Sequence, residues 1–223
     1  MIKTFLIYII LVNSILAQLL PEETYIPYGR EYFPLNDKIE LIYESTVGES
    51  KRIIEKEDSL FKSIIVADNF RYAQTFYQKD DGLYLVKTEQ NVNILFVFSK
   101  HAMILYPEPM LHIQQPIKVG DTWEWKGYQI RNEEDTTNIT ATGIAIAEEE
   151  IEVPAGKFNA LKIEIIVANS DGQKTTFTQW LAKGFGSIKM NVKIEGQGII
   201  QLAMAILGYD EVNSELKEVR YLE

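Results

Sequence analysis

Apolar and polar positions alternate along most of the chain. In residues 38–44, Ile39, Leu41 and Tyr43 share one face while Glu40 and Glu44 share the other, the period-two signature of a half-buried strand. Residues 71–77 are rich in Tyr, Phe and Thr, which suit a pleated surface. Asp81-Gly82 separates that run from residues 83–86; an Asp-Gly pair so placed predicts a tight hairpin with φ > 0 at its turn, Gly82 included. Residues 94–98 and 103–106 read as further strands, the second stopped by Pro107 and Pro109. Trp123 and Trp125 alternate with Glu124 and Lys126. Residues 139–147 and 151–153 then lead into Pro154-Ala155-Gly156, a turn in which glycine takes the left-handed position. Residues 158–167 follow, and Ser170-Asp171-Gly172 predicts the hairpin to residues 175–181. Strands this close together, with turn signals between them, predict an antiparallel meander. The expected fold is mostly β: one antiparallel, strongly curved sheet, half-barrel or barrel-like, with few or no helices beyond the leader.

Two stretches fit the pattern less well. Ile53, Ile54, Leu60, Phe61, Ile64 and Ile65 fall at helical spacing, so residues 49–65 have an amphipathic-helix alternative. Their β-branched content and neighbouring hairpins favour strands. Residues 199–207, between Gly198 and Gly208, contain good helix formers but also have the length of one buried strand, and are read as a strand. A proline and an aspartate precede alternating runs near residues 34 and 116, a weak sign of repetition that one continuous sheet explains equally well.

The leader sets the compartment. Lys3 supplies a charge, residues 5–12 are unbroken apolar, and Ala17-Gln18 offers a small-residue cleavage point. The apolar run is far shorter than the ~20 residues a membrane span needs. The expected organisation is a signal peptide over 1–17, an N-terminal extension over 18–31 and a single β domain over 32–223. With no cysteine, such an exported chain has neither a disulfide nor a thioether-linked lipid, and packing alone holds it together. The formal charge of −10 repels phosphate backbones and anionic surfaces. No nucleic acid partner and no stable membrane span are expected.

Candidate chemistry is sparse. Only His101 and His112 are available as bases; Ser99 lies close to His101 in sequence but has no nucleophile-elbow motif around it. His101, Glu108 and His112 are metal-ligand types, but they fall in a segment with two prolines and no helix to align them. Gly184-Phe185-Gly186 lacks the lysine and helix of a phosphate loop. Glu133-Glu134-Asp135 and Glu148-Glu149-Glu150 read as solvated loop charges, with paired-carboxylate hydrolysis a distant third reading. Asn138-Ile139-Thr140 is a glycosylation sequon, relevant only on a eukaryotic secretory path. No catalytic residue, metal or cofactor is assigned. The aromatic residues are more informative. Trp123, Trp125, Trp180, Phe158 and Phe177 either fill a barrel core or line an apolar cavity within it.

Five motifs occur in order: Tyr32-Phe33-Pro34-Leu35, Asp81-Gly82-Leu83-Tyr84, Pro116-Ile117-Lys118-Val119-Gly120-Asp121-Thr122-Trp123, Val153-Pro154-Ala155-Gly156-Lys157-Phe158, and Gln179-Trp180-Leu181-Ala182-Lys183-Gly184-Phe185-Gly186. Together they resemble the TapB-like family of exported bacterial proteins, a domain of unknown function, over about residues 32–190. The resemblance implies a curved antiparallel sheet similar to that of periplasmic lipoprotein carriers. It also implies a periplasmic, outer-membrane-associated or secreted location in a Gram-negative bacterium, and it assigns no catalytic residues. Lys183 departs from the family pattern, which has proline after a small residue there.

The function expected from these features is non-catalytic: a soluble envelope protein that binds an apolar or lipid-like ligand in its curved sheet. The alternative is a structural or interaction module that binds an envelope protein through a sheet edge.

Overall fold

The computed structural model describes residues 30–46, 48–68, 70–94, 98–196 and 210–222. A 3-10 turn, Arg30–Tyr32, precedes twelve strands: β1 (Ile39–Ser45), β2 (Gly48–Glu57), β3 (Leu60–Ala67), β4 (Phe70–Lys79), β5 (Gly82–Ile94), β6 (Phe98–Gln114), β7 (Thr122–Arg131), β8 (Asp135–Val153), β9 (Gly156–Asn169), β10 (Lys174–Ala182), β11 (Gly186–Glu195) and β12 (Glu211–Tyr221). Each strand pairs antiparallel with its neighbours in sequence, and β12 returns to β1 from Ile39↔Tyr221 to Ser45↔Ser214. The sheet is therefore a closed barrel rather than a half-barrel, because the first and last strands supply each other's missing partner.

Residues 49–65 form β2 and β3, joined at Asp58-Ser59, with Ile53 opposite Ile64. The helical spacing loses to the β-branched pairing. The expected leader over 1–17, residues 18–29 of the expected extension and the expected strand over 199–207 lie outside the described residues.

Two expectations about local geometry are corrected. Strand β6 does not stop at Pro107: Leu85 pairs with Met110 and Lys87 with Leu105. Residues 106–109 fall outside the register there, with Tyr106 buried in the core, so neither proline is asked for the N–H it lacks. Gly82 does not take a positive φ. It closes the hairpin opposite Lys79, with Asp80-Asp81 as the loop. Space is what requires glycine at this position, since a Cβ would lie 2.5 Å from Leu111 Cδ1 and 2.8 Å from the Ile113 carbonyl oxygen. The Gly156 expectation holds, with φ at 132°.

The barrel has two unlike ends. At the lower end lie the turns at Asp80-Asp81, Pro154-Ala155 and Lys183-Gly184-Phe185, and the 3-10 turn crosses it. Arg30 Nη2 donates to the Lys79 carbonyl and pairs with Asp80, and Gly184 N donates to the Glu31 carbonyl. The turn pushes Tyr32 and Phe33 into the barrel, where they join Phe76, Leu83, Ile113, Leu161, Ile163 and Leu181 in the main core. Phe33 meets Phe76 edge-on at 5.7 Å. Each such fully buried side chain contributes about 1.5–3 kcal/mol relative to exposure. At the upper end the lumen-facing side chains Ile65, Ile104, Val167 and Phe177 are only half-buried.

Candidate functional site

Register decides which side chains enter the barrel interior. Successive strand residues point to opposite faces, so Leu161 and Leu181 belong to the main core while Ala160 and Ala182 belong to a second cluster. That second cluster lies where the β8–β9 tip reaches β12, with Ala155 N donating to the Leu216 carbonyl. The five aromatics divide accordingly. Trp123 is buried in the main core, and Trp125 and Phe177 pack against it. Trp180 and Phe158 pack against the second cluster instead. No single cavity gathers all five.

Trp123 is wedged in place. Its ring lies over Gly143, its cross-strand partner, where a Cβ would come within 2.0 Å of the indole. Its Nε1 donates to the His112 carbonyl at 3.1 Å. Trp125 covers Gly127 in the same manner, with 2.4 Å to a hypothetical Cβ. Trp180 faces outward between Lys162 and Lys189, 5.0 and 5.5 Å from its ring, and its indole donates to Glu149. An open recess of about 490 Å³ is present on β7–β9; of the five aromatics Trp123 borders it, beside Gly143, Thr122, Glu124, Ile144 and Ile166.

Sequence reasoning passed over Arg52. It enters the lumen from β2 and is only 7% exposed. Its Nε donates to Ser63 Oγ at 2.9 Å, and the guanidinium lies 5.3 Å from the centre of the Phe33 ring. Gly186 makes room for it: a Cβ there would sit 3.2 Å from Nη1. Burial raises the Tyr43 phenol above its usual value, and the adjacent Arg52 guanidinium opposes that shift. Tyr43 Oη donates to the Ser187 carbonyl at 2.7 Å. The Nη2 of Arg52 is buried without a hydrogen-bond partner. The signal for this residue was weak, because Lys51-Arg52 precedes Ile53-Ile54 and the alternation does not say which of the two cations turns inward.

His112 is buried between Phe33 and Phe76, and burial pushes its pKa down to about 4. No cluster of three or more metal-ligating side chains occurs among the described residues. The acidic run on β8 is engaged with neighbours: Glu148 accepts from Tyr32 Oη and Glu149 from Trp180.

One seam of the wall is thin. Among the described residues β6 and β7 share register only at Ile104↔Arg131 and Leu105↔Ile130; Asn132 N donates to the Met103 carbonyl beside them, and Trp123 reaches across the seam to the His112 carbonyl.

No protein-family model matches the chain, and no curated protein matches it. The TapB-like resemblance therefore rests on the ordered motifs alone. The fold is similar to that of several solved structures. One is a presumed lipoprotein from Parabacteroides distasonis, 10% identical over 88% of this chain and 100% of that one, with a TM-score of 0.42. The hypothetical lipoprotein YmcC from Escherichia coli is 12% identical over 93% and 95% of the two chains, with a TM-score of 0.42. A presumed exported protein with a YmcC-like fold from Bacteroides fragilis is 11% identical over 87% and 100%, with a TM-score of 0.37. At these values the likenesses carry no functional inference.

Proposed function

We propose that the protein is an exported, non-catalytic carrier that binds an apolar or lipid-like ligand in the upper part of the barrel lumen. The carrying observation is the asymmetry of the two ends. The 3-10 turn with Tyr32 and Phe33 plugs the lower end, while Ile65, Ile104, Val167 and Phe177 face the lumen half-buried at the other. Apolar side chains left partly wet inside a concave wall gain from a ligand that dries them, at roughly 25 cal/mol per Å² covered. The leader composition supports export to the bacterial envelope, and N-terminal sequencing of exported protein is expected to begin at Gln18. Retention of Met1 on membrane-bound material would refute the export reading. Native mass spectrometry of protein purified from its own envelope, with extraction of the bound material, tests the carrier reading. A stoichiometric apolar ligand is expected. A ligand-free protein that also fails to bind an added fatty acid saturably overturns it.

The β6–β7 seam favours a second reading, an interaction module. Backbone groups along a wall segment with so little register suit an extended partner strand. Protection of β6 and β7 amides on adding an envelope extract, with no change at the lumen residues, would select this reading.

A further inference from the structure

We infer that the carried molecule has an anionic head group and that Arg52 pairs with it. This rests on the carrier reading above and narrows its ligand class. A guanidinium stays protonated in any protein environment, so the 7%-exposed Arg52 is a charge inside the barrel. None of the buried polar side chains among the described residues is a carboxylate, and no carboxylate there forms an ion pair with Arg52. His112, the other buried titratable base, stays neutral near pH 7 because burial holds its pKa down. The lumen thus carries positive charge within a chain whose formal net charge is −10.

Its surroundings orient the guanidinium without neutralising it. Ser63 accepts from Nε, the Tyr43 phenol bonds the guanidinium, Phe33 lies 5.3 Å away and Gly186 leaves room beside Nη1, yet Nη2 has no partner. An uncompensated buried cation is costly, and a bidentate oxyanion supplies what this one lacks. The register ring through Arg52 continues to Ile65 and Tyr72, and these face the lumen half-buried toward the upper end. A head at Arg52 therefore places an attached chain along the apolar wall. Carboxylate and phosphate heads share this chemistry.

Calorimetric titration of the delipidated mature protein at pH 7.5 with decanoate, decyl phosphate and decanol tests the inference. At least one anionic amphiphile is expected to bind tenfold or more tightly than decanol, and the tighter of the two identifies the head. Arg52→Gln is expected to bring anion and alcohol within about twofold of each other. Arg52→Lys, which keeps the charge but not the fork, is expected to fall between. Should Arg52→Gln fail to fold, the wild-type ratio and Arg52→Lys still decide. Equal binding of all three probes to the wild type overturns the anionic head and leaves the carrier standing. No binding of any probe overturns both. An anion preference that survives in Arg52→Gln removes the role of Arg52.

Discussion

Replacing Gly143 with alanine puts a methyl group where the Trp123 ring already is. The added carbon would lie 2.0 Å from Cε2, 2.1 Å from Cζ2 and 2.6 Å from Nε1 of the indole. These are rigid ring atoms, so the ring must leave or the two strands must part. Overpacking of this kind costs about 1–3 kcal/mol. Losing the Nε1 hydrogen bond to the His112 carbonyl adds about 1 kcal/mol. Alanine returns about 0.5–1 kcal/mol by stiffening the unfolded backbone, which leaves a net loss of roughly 1–3 kcal/mol. For a domain of this size that corresponds to a melting point lower by about 2–12 °C. Urea unfolding followed by near-ultraviolet circular dichroism and tryptophan emission reads both effects, and the emission should shift red as Trp123 meets water. The cost requires the indole, so Gly143→Ala in a Trp123→Ala background should be neutral or stabilising. An unchanged midpoint and spectrum, or an equal cost in both backgrounds, refutes the wedge.

Three further outcomes are expected. Burial holds His112 near 4 against the usual 6.5, so between those values the unfolded chain takes up a proton that the folded chain refuses. Stability is untouched above about pH 6.5 and falls as pH drops through that window, by about 3 kcal/mol at its lower end; His112→Phe should flatten this limb in urea titrations run across pH. Gly156→Ala, with open space around the added Cβ, should cost about 1 kcal/mol through backbone strain alone. Gly82→Ala should cost about 1–3 kcal/mol through collision with Leu111 and Ile113, and Leu111→Ala should relieve part of it, which separates the two mechanisms in thermal melts.

The strands were legible in the sequence because alternation and turn chemistry are local. Pro154-Ala155-Gly156 and Ser170-Asp171-Gly172 mark real hairpins, and the β-branched residues of β2 and β3 outweighed their helical spacing. Long-range features were not legible. Nothing near Ile39 announces Tyr221 as its partner, and the two prolines of β6 look like stops until the bulge opposite β5 is seen. The aromatics were recognisable as packing residues, but their assignment to a face was not. Trp180 alternates with Leu181 and Phe177 along β10 and so faces away from the cluster that holds Trp123. Arg52 was missed because the pattern of charge around it resembles a solvated strand end.

The β1–β12 seam also has a temporal consequence. Arg220 reaches Glu40 across 180 positions of chain, and the register beside it is what turns a curled sheet into a tube. Every other pairing joins sequence neighbours and can form as a growing series of hairpins. The closing pair must wait for the C-terminal strand and meets the largest loop-closure entropy in the molecule. A chain emerging from the ribosome therefore cannot complete its barrel before Glu211–Tyr221 has been made. Removing β12 would leave β1 and β11 as two bare edges, each a template for pairing between molecules.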